Sequence, residues 1–135
     1  GLWPAHPASR AYARSISAEM HSGFSALRRE CGMNLHRPIG PKTLSDNARA
    51  DIARIQELWT DCRQRSERDG PFLFGSFTAA DAMYAPVVHR FRTYAIEVTT
   101  PVREYMGAMM AQPAFREWTE QGLAETLVIE RFETD

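Results

Sequence analysis

Residues 78–93 constrain the fold more than any other stretch. Ala79, Ala80, Ala82, Met83, Tyr84, Ala85, Val87, Val88 and Phe91 give this segment apolar side chains on most sides of a helix. A helix apolar nearly all round is a buried one, so other elements must surround it. Its start is marked by Thr78-Ala79-Ala80-Asp81, which has capping-box spacing with Asp where Glu or Gln is commoner. The Thr78 hydroxyl can accept the Asp81 N–H, and the Asp81 carboxylate can accept the Thr78 N–H. Water cannot satisfy those donors in a buried helix, so the cap is worth about 1 kcal/mol or more. Thr78 and Asp81 therefore read as structural residues, not catalytic ones.

The elements that must do the surrounding are helical too. Tyr12, Ile16, Met20, Phe24 and Leu27 recur every three or four residues, which predicts one helix from Ala8 to about Glu30–Gly32. Pro7 suits its first position, where the missing N–H costs nothing. Residues 33–44, with Pro38, Gly40 and Pro41, read as a loop. Ser45 is the expected N-cap of a second helix with Ala48, Ile52, Ile55, Leu58, Trp59 and Cys62 on its apolar face. Asp69-Gly70-Pro71 ends it, and Phe72-Leu73-Phe74-Gly75 is an apolar connector too short for a helix. Beyond the buried helix, Thr100-Pro101 and Gln112-Pro113 each start another. The first carries Val102, Tyr105, Met106, Met109 and Met110 inward; the second carries Phe115, Trp118 and Leu123. No stretch alternates as a strand does, so the fold class is all-α. Residues 1–7 form an extended lead-in or interdomain linker, 8–125 the helical domain, and 126–135 a tail containing Leu127, Val128, Ile129 and Phe132.

Charge and cysteine usage narrow the partners. Sixteen basic against seventeen acidic side chains leave a net charge of -1, which gives no electrostatic reason to bind nucleic acid or an anionic membrane. No apolar run reaches the length of a membrane span. Cys31 and Cys62 stand far apart with no His-Cys cluster near them, so neither a disulfide framework nor a metal site is expected. A reducing, cytoplasmic compartment is the simplest reading. Arg28, Arg29, Arg37 and Lys42 make a small basic cluster, too sparse to argue for nucleic acid.

Three segments, in order, resemble a known family. Phe74-Gly75-Ser76-Phe77-Thr78-Ala79-Ala80-Asp81-Ala82 resembles the stretch that opens the central buried helix in the C-terminal domain of glutathione transferases. Pro113-Ala114-Phe115-Arg116-Glu117-Trp118 is similar to that family's Arg-Pro-Ala-Phe-Gln-x-Trp helix start. Ala18-Glu19-Met20-His21-Ser22-Gly23-Phe24 is similar to Ser-Glu-Leu-His-Lys-Gly-Phe in bacterial beta-class enzymes. The resemblance covers residues 3–125 and points to the beta class or a related bacterial group. It implies a five- to six-helix bundle, a homodimer, and a thioredoxin-like domain ahead of Gly1. That domain would bind glutathione, the co-substrate, and supply the Ser, Tyr or Cys that activates its thiol. This chain would contribute the electrophile-binding, dimer-forming half and be inactive alone.

The resemblance also suggests what this half brings. His21 matches the beta-class His near the glutathione sulfur, where it would donate to a thiolate or relay a proton. Arg14 stands where that class has an Asn reaching glutathione, and Ser22 where it has a Lys; both are candidate glutathione contacts. With Arg10, Ser17, Ser25 and Arg28 they form a basic, hydrogen-bonding edge beside the apolar stripe, or else merely a solvated face. Met20, Phe24, Tyr84, His89, Phe91 and Tyr105 are candidates for an apolar electrophile pocket, although the spacing of Met20 and Phe24 favours the core. The other function open at this point is a non-catalytic interaction module of the same helical type.

Overall fold

The computed structural model describes residues 1–66 and 68–130. Among them are six helices: α1 (Pro7–Ser22), α2 (Ser25–Glu30), α3 (Asp46–Arg65), α4 (Ala79–Thr93), α5 (Thr100–Ala111) and α6 (Pro113–Ala124). The described residues form no strand; the 72–76 connector has two isolated bridges, Phe72 with Gly75 and Phe74 with Ser76. Among the described residues no helix is long and apolar enough to cross a membrane. Of the expected tail, residues 131–135, Phe132 included, lie outside the described residues.

The expected first helix is two helices. The apolar period runs on through Met20, Phe24 and Leu27, but the backbone does not. Gly23 is extended, and Phe24 takes a left-handed conformation at φ 56°. At Gly23 a Cβ would lie 2.6 Å from the Glu19 carbonyl oxygen, so the corner needs glycine. The turn keeps Phe24 buried while redirecting the chain so that α2 packs on α3. There the Asp51 carboxylate accepts the Leu27 N–H at 3.0 Å, and Glu30 accepts the Ser45 N–H at 2.9 Å and its hydroxyl at 2.6 Å.

α4 packs on α1 and α5, and α5 in turn packs on α3 and α6. Trp59 of α3 is the hub, with ring centroids 5.7 Å from Tyr84, 5.4 Å from Phe91 and 4.8 Å from Tyr105. Aromatic pairs at such spacing add to the stabilisation from burial alone. The Tyr84 hydroxyl donates to the Ile16 carbonyl at 3.0 Å, tying α4 to α1.

The start of α4 is a closed polar knot. Asp81 is fully buried, and its carboxylate accepts the Thr78 N–H at 2.7 Å, the Thr78 hydroxyl at 3.0 Å and the Leu73 N–H at 3.1 Å. Burial raises the Asp81 pKa, while those three donors work to lower it. The Leu73 bond also pins the connector, which turns through Gly75 at φ 81°.

One side of α4 departs from the expectation of a helix buried all round. Ala80, Tyr84, Val87, Val88 and Phe91 are buried, but Ala82 is exposed and Ala85 and Pro86 are half-buried. Pro86 stands inside the helix, where it has no N–H to give. The apolar residues on this side face no other helix of the chain closely enough to be covered.

Candidate functional site

The α1 edge begins at the lead-in. Arg10 donates to the Ala5 carbonyl at 2.8 Å and the Pro4 carbonyl at 3.3 Å, bracing residues 4–5 against the helix. Arg14 lies exposed with its guanidinium carbon 5.7 Å from the centroid of the Trp3 ring, in cation–π range. Ser17 is buried and donates to Ala13 within the helix. His21 is exposed on the last turn, seven residues and about 10 Å of helix axis beyond Arg14. Its ring makes no hydrogen bond or ion pair with a described residue, and its carbonyl accepts Arg28 Nη1 at 3.0 Å. Ser22 is exposed and donates back to Ala18 at 2.9 Å. The structure thus sets Arg14 and His21 on one solvent-facing edge with free polar atoms, while the hydroxyl protons of Ser17 and Ser22 are given to their own helix. Ser25 and Arg28 belong to α2, beyond the corner, and Arg28 returns to the edge through the His21 carbonyl.

The candidate pocket residues are packed inside. Tyr84 and Tyr105 are completely buried and Phe91 nearly so, all three around Trp59. Met20 and Phe24 belong to the same core cluster. The Tyr105 hydroxyl is buried with no hydrogen-bond partner of ordinary geometry, though it feels the Asp81 charge, and burial holds its pKa well above the usual phenol value. Side chains covered this completely cannot touch a ligand in this packing; spacing alone does not separate a pocket wall from a core.

Open concave surface lies elsewhere, and one apolar stretch of it borders α4. Phe77, Ala82, Ala85, Pro86, Ala114 and Trp118 line an apolar groove of about 220 Å³ between α4 and α6. Phe77 and Trp118 are each 39% exposed, unusual for aromatic rings of this size in a bundle with a full core. The groove went unseen in the sequence because an all-apolar helix reads as buried by its own chain. The signal was there in Ala82, Ala85 and Pro86, small residues at positions i, i+3 and i+4. The lead-in borders this region: the Leu2 carbonyl accepts the Ala79 N–H at 2.9 Å, and Trp3 and Phe77 share the wall of a neighbouring cavity of about 750 Å³.

His89 sits behind the groove. It is 1% exposed, stacked on Phe115 at 4.5 Å and edge-on to Trp118 at 5.1 Å. Its Nε2 is 2.9 Å from the Thr119 hydroxyl. That hydroxyl donates to the Phe115 carbonyl at 2.7 Å, so it accepts from His89 Nε2–H, and the buried Nδ1 is left without a partner. Burial, helped by Arg92, lowers the His89 pKa to about 4, so the ring is neutral at physiological pH.

Cys31 and Cys62 are both free and buried. Burial pushes the Cys62 thiol up to about 12 and raises Cys31 as well, the opposite of what a reactive thiolate requires. Among the described residues, no three His, Cys, Asp or Glu side chains are grouped to hold a metal ion.

Comparison with known proteins then places this arrangement. The family model for the glutathione S-transferase C-terminal domain matches residues 10–121. Among solved structures, the chain is similar to a glutathione transferase homologue from Burkholderia GL BGR1 with bound glutathione. The two share 22% identity and a TM-score of 0.63 over 93% of this chain and 57% of that one. The chain thus spans little more than half the length of that solved protein. A search of curated proteins finds no match. This chain belongs to the glutathione S-transferase C-terminal domain family.

Proposed function

We propose, from that membership, that the chain is the electrophile-binding and dimer-forming half of a glutathione transferase. Its partner in the same protein is a thioredoxin-like half that holds glutathione as co-substrate. The reaction joins the glutathione thiol sulfur to a small electrophile. The attacking species is the thiolate, and a thiol near its free pKa needs help to ionise at neutral pH. The activating Ser, Tyr or Cys belongs to the thioredoxin-like half. This half adds His21, exposed and unengaged on the α1 edge, to donate a hydrogen bond to the thiolate or relay its proton. Arg14 and Ser22 lie on the same edge as candidate glutathione contacts. Met20, Phe24, Tyr84, Phe91 and Tyr105, the pocket residues the sequence suggested, are buried in the core behind this edge and support it from within. We place the protein in a reducing cytoplasm, in keeping with its two unpaired thiols.

The observation that carries this reading is the uncovered groove on α4 and α6. An apolar helix side left open beside the lead-in is what a domain built to pack against a second domain would show. The test uses the full-length protein. It is expected to be retained on immobilised glutathione and to conjugate a standard aromatic electrophile, whereas these 135 residues alone conjugate nothing. Ala82→Arg, on the exposed groove wall, is expected to abolish conjugation in the full-length protein while leaving the melting of the isolated chain unchanged. Full-length protein that neither binds glutathione nor turns over would sink the reading. Dimerisation through α1–α3 is expected to show as twice the chain mass by light scattering of the full-length protein.

A second reading, a non-catalytic interaction module, draws on one further observation. Leu123, Leu127, Val128 and Ile129 are exposed next to Trp118 and extend the apolar surface past the groove. It would be preferred if the coding sequence upstream of residue 1 proved to encode something other than a thioredoxin-like domain.

A further inference from the structure

The lead-in is fastened more firmly than its burial requires. Leu2, Ala5 and His6 are exposed, and only Trp3 and Pro4 are half-buried. A cavity of about 750 Å³ stays open between the lead-in and Arg68, Phe74 and Phe77. A segment so little covered gains little from burial to offset the entropy of being ordered. Polar bonds from two helices hold it instead. The Leu2 carbonyl accepts the N–H of Ala79, the first residue of α4, at 2.9 Å. Arg10 Nη1 donates to the Ala5 carbonyl at 2.8 Å and to the Pro4 carbonyl at 3.3 Å, and the Arg10 N–H to the His6 carbonyl at 2.9 Å. One residue of α1 thus holds three successive carbonyls. Arg14, one turn on, sets its guanidinium over the Trp3 ring between the two attachments.

An ordinary helix start accounts for the bond to His6 alone, since His6 is the N-cap of α1. It does not account for a guanidinium turned back past that cap onto the two residues before it. Nor does it account for an orphan donor of α4 finding its acceptor at residue 2. Bonds from a charged donor are roughly twice as strong as neutral ones. The far attachment is firm as well, because the Asp81 carboxylate pins the adjoining Thr78 N–H at 2.7 Å. We propose that Arg10 is a positioning residue. It clasps the lead-in as a fixed strap between α1 and the start of α4, and so sets how the preceding half of the protein is presented to the α1 edge that carries His21. The positioning role rests on the conjugating function proposed above; the clasp itself does not.

The clasp is tested on the 135-residue chain by amide hydrogen exchange, with the Ala79 N–H as reporter because its acceptor lies in the strap. Arg10→Met is expected to speed Ala79 exchange about tenfold and to leave the Leu58 and Val88 amides unchanged. Arg10→Lys, whose ammonium can still reach a carbonyl, is expected to restore most of the protection. Arg14→Met, which loses only the contact with Trp3, is expected to speed it about threefold. Equal Ala79 exchange in the parent and Arg10→Met overturns the clasp, and so does a gain spread equally to Leu58 and Val88. The positioning role is tested in the full-length protein, with kcat counted per molecule retained on immobilised glutathione. Arg10→Met is expected to lower kcat about tenfold with the KM for glutathione unchanged, and Arg10→Lys to recover most of it. An unchanged kcat beside faster Ala79 exchange overturns the positioning role and leaves a purely structural strap. Full-length protein that conjugates nothing, with the Arg10 dependence of Ala79 exchange intact, sinks the conjugating function and the positioning role with it, while the clasp stands.

Discussion

The two ends of α4 carry buried polar side chains of opposite character. At its start, the Asp81 carboxylate accepts three bonds from Leu73 and Thr78, and the knot is closed within the chain. Toward its end, His89 keeps an unpartnered Nδ1 and Arg90 has only neutral acceptors. Buried polar groups are expensive unless satisfied. Satisfaction from within marks a group that holds the architecture. Toward the end of α4 the buried polar groups are satisfied only in part, His89 at Nε2 alone and Arg90 by neutral carbonyls.

The largest effect that would break this contrast falls at the closed end. Asp81→Ala leaves the Leu73 and Thr78 N–H groups buried without an acceptor, and is expected to cost about 4 kcal/mol. Asp81→Asn, which retains one acceptor oxygen, is expected to cost about half of that. Urea unfolding at constant m-value measures both. A cost below that of an ordinary surface substitution would mean that the knot is not what fixes α4.

The next effect is at the open end and depends on pH. The folded-state pKa of His89 is lowered to about 4 from an ordinary value of 6.5. The unfolded chain therefore binds the proton more readily, and stability falls as pH drops from about 7 toward 4. Asp81 runs the other way: its raised pKa favours the folded state on acidification. The informative quantity is thus the difference between the parent and His89→Gln, expected to amount to about 3 kcal/mol between pH 7 and pH 4. Parallel stability curves for the two proteins would show that His89 is not held neutral by burial.

Gly23→Ala sharpens the contrast at the corner that separates α1 from α2. Its Cβ would meet backbone, not a yielding side chain, so a loss of about 1–2 kcal/mol is expected. The same substitution should shift the Arg28 Nε–Hε NMR signal, because Arg28 bridges that corner. The smallest effects belong to the edge itself. His21→Ala and Ser22→Ala are expected to change stability by no more than about 0.5 kcal/mol, since neither ring nor hydroxyl holds another element.

Much of this was legible in the sequence, for reasons that also explain what was not. The 3.6-residue period of Ile52, Ile55, Leu58, Trp59 and Cys62 reports a buried face directly, and all five are buried in α3. Thr78 and Asp81 were readable because a capping box is local. The break after Ser22 was not, because Phe24 stays buried on both sides of it and keeps the apolar period intact; Gly23 was the only local clue. Tyr84, Phe91 and Tyr105 as pocket candidates show the same limit, since an aromatic ring recurs identically in a core and in a pocket wall. The bond from Arg90 to the Cys31 carbonyl joins residues 59 apart in sequence and follows only from the tertiary packing, which no spacing encodes.

The central claim is that the exposed edge ending in His21 takes part in the reaction while the buried knot at Asp81 does not. It is tested most directly by steady-state conjugation with the full-length protein and its His21→Ala variant, at saturating glutathione and matched melting temperature. The account predicts a fall in kcat of about a hundredfold, the size of a lost acid–base contribution, with little change in KM for the electrophile. An unchanged kcat would contradict it and return His21 to the solvated face of a helix.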